Sequence, residues 1–161
     1  MKNKTKNKLE RKWQNLPLHH IDACIVMEVL MVGDNCEDCE NYLNKVGYKY
    51  RCVLSIPVFG EIFKSLVTKF EKEIGGENAF IVVSRLIDKR KIDFSSPQFK
   101  TYEIVEKIKT IESRAEPMDS LNLAIAIAND ASVFVTMDAT LLGNKKLESE
   151  FGIKIKHPSE L

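Results

Sequence analysis

Apolar positions along the chain fall into two alternating kinds of run. Short β-branched or fully apolar stretches of strand length occur at Leu18 to Asp22, in "YRCVLSI", in "KIDFSS", at Val133 to Val135 and in "GIKIKHP", and they predict five strands. Between them lie segments with helical spacing. An apolar segment runs from Asp22 through Met31 to the "VGDN" turn, and a polar helix is expected from Cys36 to Val46. Pro57 opens the next helix, because its missing N–H would have no partner there in any case, and Phe59, Phe63, Leu66 and Phe70 recur behind it. A further helix from Glu77 to Asp88 would bury Phe80, Val83 or Ser84, and Ile87. Gln98 to Ser113 carries Tyr102, Val105, Ile108 and Ile111 on one face. "EPMDSLNLAIAIANDA", led by Pro117 and closed by Asn129 and Asp130, is apolar nearly all round, which predicts a helix buried on most sides.

Strands separated by connections of helix length imply right-handed crossovers, a parallel sheet and helices on both faces. The expected fold is therefore an α/β, three-layer α/β/α sandwich. Ligands in such sheets bind beyond the carboxyl ends of the strands, where the strand order reverses.

Composition narrows this picture little. With 161 residues, 44% hydrophobic and 29% charged, the chain suits one globular domain. No apolar run approaches the roughly 20 residues that span a bilayer, and the N-terminus lacks the apolar core of a secretory signal. The chain therefore reads as cytoplasmic, with no membrane partner. Charge is more telling in its distribution. Six Lys/Arg fall in "MKNKTKNKLERKW" against Glu10 alone, which leaves 18 basic and 22 acidic residues in the remainder. Residues 1–15 are read as a basic extension and 16–161 as the folded domain, with the acidic excess in the latter. Cys24, Cys36, Cys39 and Cys52 include one CxxC without a second pair at zinc-finger spacing, and no chemistry is assigned to them.

Four acidic residues stand out by position. Asp22 ends the first strand, Glu61 lies in the first turns of the helix after the second, Asp119 in the first turn of the buried helix, and Asp138 just past the fourth strand. In a parallel sheet all four reach the same rim. Two unneutralised carboxylates 4 Å apart repel by about 4 kcal/mol at an effective dielectric near 20. A divalent cation removes that penalty, and an all-oxygen ligand set suits Mg²⁺ or Mn²⁺. Such an ion lowers the pKa of bound water and stabilises charge on a leaving oxygen, which is the chemistry of phosphodiester hydrolysis. Helix N-termini would favour the ionised forms of Glu61 and Asp119 and receive phosphate oxygens. Each acid also has a plain structural reading: dipole partner for Asp119, turn former for Asp138, solvated helix residue for Glu61, strand-end residue for Asp22.

With "HIDACIV", "SIPVFGEIF", "EPMDSLNLAIAIAND" and "SVFVTMDATLL" in these contexts, the chain resembles a PIN-domain ribonuclease over all but the basic tail. The resemblance implies a five-stranded parallel sheet ordered 3-2-1-4-5. It also implies that Asp22, Glu61, Asp119 and Asp138 hold one or two Mg²⁺ or Mn²⁺ ions with the Thr136 hydroxyl beside them. Activity implied by the family is endonucleolytic cleavage of single-stranded or exposed RNA, commonly by homodimers, and often as the toxin half of a toxin-antitoxin pair. Two positions depart from the family pattern. Cys24 stands where many relatives carry a small hydroxyl or amide residue, and Thr140 where a further acid is often found. Asp130 is read as a cap or turn residue outside the acidic set. Competing readings are a PIN-like scaffold that binds RNA or protein without turnover, and a phosphoacceptor receiver domain. The receiver reading needs adjacent acids after the first strand, which "HIDACIV" lacks.

Overall fold

A computed structural model describes residues 13–70, 81, 83–85, 87–89 and 92–161. Strand β1 (Leu18–Ile21) passes into helices α1 (Ala23–Met31) and α2 (Cys36–Leu43), and β2 (Arg51–Ser55) runs without a loop into α3 (Ile56–Phe70). Described residues between 81 and 89 are helical. There follow β3 (Ile92–Ser95), α4 (Thr101–Ile111), α5 (Pro117–Ala128), β4 (Val133–Val135), α6 (Lys145–Phe151), β5 (Lys154–Lys156) and a closing 3₁₀ turn at Pro158–Glu160. Residues 1–12 of the basic segment, Phe80 and residues 77–79 of the expected second helix of this region lie outside the described residues. No described helix is long and apolar enough to cross a membrane.

The five strands form one parallel sheet in the order β3-β2-β1-β4-β5, as expected. Ile21 pairs with Leu54 on one side and Val135 on the other, so β1 is central and the order reverses beside it. Successive strand residues point to opposite faces, and the sheet uses both. Ile21, Leu54, Val133 and Val135 pack with α1, α2 and α3 in one core. Phe134 and Ile155 pack with Ile108 of α4, Leu123, Ala124 and Ala126 of α5, and Leu147 of α6 in the other. Burying one such side chain contributes about 1.5–3 kcal/mol, which is why three apolar residues suffice to fix β4. His19 of β1, Tyr42 of α2 and Tyr50 stack, and the Tyr42 hydroxyl lies 3.3 Å from His19 Nδ1 and 3.1 Å from Cys52 Sγ.

Several expectations are corrected. Asp22 stands just outside β1, as the N-cap of α1. The stripe that α3 buries is Val58, Ile62 and the expected Leu66, while Phe59 and Phe63 are only half-buried. The side chain of Phe70 lies outside the described residues. Phe59 packs against the edge of the same core and meets the exposed Phe94 edge-on, with ring centroids 5.5 Å apart. On α4, Ile108 is buried but Tyr102 is exposed. Helix α6 was not anticipated: its seven residues bury only Leu147, too little for a period to show.

Candidate active site

The rim beyond the ends of β1 and β4 is built from backbone outward. Asp22 has extended backbone angles and caps α1, its Oδ1 accepting the Ala23 N–H at 2.7 Å. Its own N–H donates to the Val135 carbonyl at 3.0 Å, which carries the β1–β4 ladder one residue past the strands. Asp22 Oδ2 accepts the Thr136 hydroxyl proton at 2.7 Å, and Thr136 Oγ1 accepts the Asp138 N–H at 3.0 Å. Thr136 is wholly buried and thus links two carboxylate residues through one oxygen. Asp138 does form a turn, its Oδ1 accepting the Thr140 and Leu141 N–H groups at 2.8 and 3.0 Å.

Cys24, to which no chemistry was assigned, forms part of this wall. Its thiol donates to Asp22 Oδ2 at 3.5 Å, lies 3.8 Å from Thr136 Oγ1 and accepts the Met137 N–H at 3.3 Å. Burial and the neighbouring Asp22 push the thiol well above its ordinary pKa, so it stays a donor. The sulfur therefore supplies, more weakly, the proton that a hydroxyl would give at this position.

Glu61 lies on the second turn of α3 and is exposed, yet its carboxyl is pushed upward, by burial first and then by Asp22 and Glu116, with Lys64 opposing. Asp119, in the first turn of α5, is raised to about 6 by burial and then by Asp22, Asp138, Glu116 and Glu61. Buried Asp22 is raised as well, chiefly by burial, against the hydrogen bonds from Thr136, Ala23 and Cys24. Burial and neighbouring negative charge thus set the direction for both Glu61 and Asp119. All four expected acids come within one electrostatic neighbourhood, and Asp119 feels every other member.

Glu116 was passed over in the sequence. It takes the N-cap position of α5, three residues before Asp119, with Pro117 between them. An acid at the cap and another at the third helical position share one side of the turn, so "EPMD" carried the signal. Asp130 fulfils its expected role as a turn residue, with positive φ and an exposed side chain 4.0 Å from Lys100 Nζ.

A second set of polar groups lies beside the acids. Ser55, the last residue of β2, accepts the Val58 N–H at 3.1 Å and donates to Asn122 Oδ1 of α5 at 3.1 Å. Asn122 Nδ2 and Ser120 Oγ are buried and have no hydrogen-bond partner.

No family model matches the sequence, and no curated protein matches it either. Solved structures do. VapBC2 of Rickettsia felis, bound to a DNA fragment from its promoter, superposes with a TM-score of 0.63 at 14% identity, over 87% of this chain and 98% of that one. The chain has the PIN-like α/β/α fold. FitAcB of Neisseria gonorrhoeae gives 0.61 at 14% identity, over 89% and 99% of the two chains. Mycobacterium tuberculosis VapC20, a sarcin-ricin loop cleaving toxin, gives 0.58 at 12% identity, over 75% and 90%. In this PIN fold the acids occupy the strand-order reversal where ligands of open α/β sheets bind.

The donor set suits a hard divalent cation. Asp22, Glu61 and Asp119 are all raised above the ordinary carboxyl range, and Lys64, acting on Glu61, is the one cation that opposes this among the described residues. Among the described residues no three His, Cys, Asp or Glu side chains stand close enough to hold a metal as they are placed.

Proposed function

We propose that the protein is an Mg²⁺- or Mn²⁺-dependent endoribonuclease that hydrolyses phosphodiester bonds of single-stranded or exposed RNA, acting in the cytoplasm as the toxin of a toxin-antitoxin pair. The observation that carries this reading is Asp119, a first-turn carboxylate raised to about 6 by burial and four acidic neighbours. Such stored repulsion is relieved by a cation, and buried groups with strongly shifted pKa values gather at functional sites.

Asp22, Glu61, Asp119 and Asp138 would hold one or two ions. Bound there, the metal supplies an acidified water and charge stabilisation at phosphorus. The chain's own contribution is order. Thr136 and the Ala23 N–H each fix one oxygen of Asp22, so that carboxylate presents its remaining lone pairs in one direction. Cys24 closes the wall behind it. Asp119, with a pKa of about 6, exchanges its proton most readily near neutral pH.

Support for protein partners comes from the surface. Pro97, Phe99, Tyr102, Val105, Pro117 and Leu121 line an apolar groove, and Phe99 and Tyr102 on it are exposed. We take this groove as the homodimer contact. The antitoxin reading rests on the solved neighbours, which include a toxin-antitoxin complex from Klebsiella pneumoniae.

Labelled single-stranded RNA incubated with Mn²⁺ or Mg²⁺ tests the reading, with Asp22→Asn and excess chelator as controls. Cleavage that stops in both controls supports it. Cleavage that survives both overturns it, and RNA binding without cleavage by the wild type favours the scaffold.

A further inference from the structure

Glu61 and Asp119 ride on helices packed against opposite faces of the sheet: α3 belongs to the core with Ile21 and Leu54, α5 to the core with Phe134. The sheet lies between the two helices, and at the tip of β2 one hydroxyl hydrogen-bonds to both. Ser55 Oγ accepts the Val58 N–H, a donor that the first turn of α3 leaves unmet, and gives its own proton to Asn122 Oδ1, three residues after Asp119 on α5.

Asn122 is an odd tenant of its helix. It is wholly buried, as are the residues that follow it, Leu123, Ala124, Ile125 and Ala126, and its Nδ2 has no hydrogen-bond partner. A buried donor without an acceptor costs stability, and an apolar residue of like volume would avoid the cost. The amide thus contributes something other than stability.

We propose that Ser55 and Asn122 are positioning residues whose hydrogen bond sets the distance between the helices bearing Glu61 and Asp119, and through it the affinity of the site for a divalent cation. The proposal rests on the metal-site reading above.

Calorimetric titration of the full chain with Mn²⁺ alone tests it, using Ser55→Ala, Asn122→Leu, the double variant and Ser95→Ala. Ser95 pairs with Ser55 across β2 and β3 but hydrogen-bonds His20, so it serves as the control. Asn122→Leu and Ser55→Ala should each weaken Mn²⁺ binding roughly tenfold, within the range for residues that orient metal ligands. The double variant should be no worse than either single, Ser95→Ala should match the wild type, and Asn122→Leu should melt no lower than the wild type. Wild-type affinity in Asn122→Leu, or a double variant that multiplies the two losses, overturns the proposal. If Asn122→Leu does not fold, Ser55→Ala against Ser95→Ala decides by the same tenfold criterion. Should the wild type bind no Mn²⁺, the metal reading has failed on its own. Amide exchange at Val58 then decides the bridge, faster exchange in Asn122→Leu upholding it and unchanged exchange ending it.

Discussion

Strand β1 delivers polar side chains to two places a few residues apart, and burial does opposite things in them. His19, at the strand's middle, lies within a stack of tyrosines and close to the Tyr42 hydroxyl, and burial lowers its pKa to about 4. It is neutral at pH 7 and serves the fold. Asp22, just past the strand, is buried beside other carboxylates and is raised by burial and by Asp138. There the same desolvation works against the charged form without a cation to answer it. One region spends its polar groups on each other, and the other stores a penalty that a proton or a cation relieves.

Removing a charge from the rim should break this contrast most visibly. Asp119→Asn keeps the size of the side chain and deletes the group with the most acidic neighbours. RNA cleavage should fall on the order of 10²–10³-fold, as when a preorganised charge-stabilising group is lost. Stability should rise, because the acid's pKa is higher in the fold than in the unfolded chain. Solvent screens this partly exposed group, so the gain is about 1 kcal/mol, or roughly 2–4 °C in Tm. Single-turnover assays and thermal melts of the one variant check both signs, and a destabilised Asp119→Asn would contradict the stored-repulsion picture.

Thr136→Val is the next largest. Valine preserves the branched shape of a wholly buried residue but removes the donor to Asp22 and the acceptor for the Asp138 N–H. Mn²⁺ affinity should drop by roughly 10–100-fold, the usual effect of an outer-shell loss. An unchanged titration curve would mean that the Asp22 carboxylate orients without Thr136.

These expectations also mark how much was legible. Layers and five strands followed from period alone, since runs such as Val133–Val135 have no other place than a buried sheet. Sheet order did not, because hydrophobic pattern says which residues are buried and not which strand lies next to which; that came from the family resemblance. The shared rim of Asp22, Glu61, Asp119 and Asp138 was recoverable because each follows a recognisable strand or lies in the first turns of a helix. Ser55 and Asn122 were not, since a serine at a strand end and an asparagine in an apolar helix mean nothing until a 3.1 Å contact joins them. The expected α3 stripe held at Leu66 but missed Val58 and Ile62, because helical spacing fixes a period but not its phase.

A pH series sharpens the rim half of the comparison. Asp119 titrates at about 6, so the carboxylate is mostly ionised at pH 7 and about one-tenth ionised at pH 5. Through Asp119 alone, apparent Mn²⁺ affinity should weaken about tenfold between those values if protons and metal compete for it. Asp119→Asn should lose that tenfold share of the dependence. A wild-type affinity flat from pH 7 to 5 would detach Asp119 from the metal.

The strand half yields the smallest effect and the opposite sign. His19 and His20 are lowered by burial to about 4 and about 3. Both therefore bind protons more readily in the unfolded chain, and the fold loses stability as pH drops below the unfolded value of 6.5. Each contributes about 1.4 kcal/mol per pH unit, or about 2 kcal/mol by pH 5. Raised carboxyls at the rim work the other way, since protonating them relieves repulsion, and the two trends partly cancel in the wild type. His19→Phe retains a flat ring against Tyr50 and removes one of the two titrating imidazoles. Its denaturant midpoint should therefore fall less between pH 7 and 5 than the wild type's, by the equivalent of about 2 kcal/mol. Asp119→Asn, stripped of its offset, should fall more steeply than the wild type over the same range. Parallel pH profiles for all three proteins would show that neither histidine nor rim carboxylate is held in the state that its surroundings dictate.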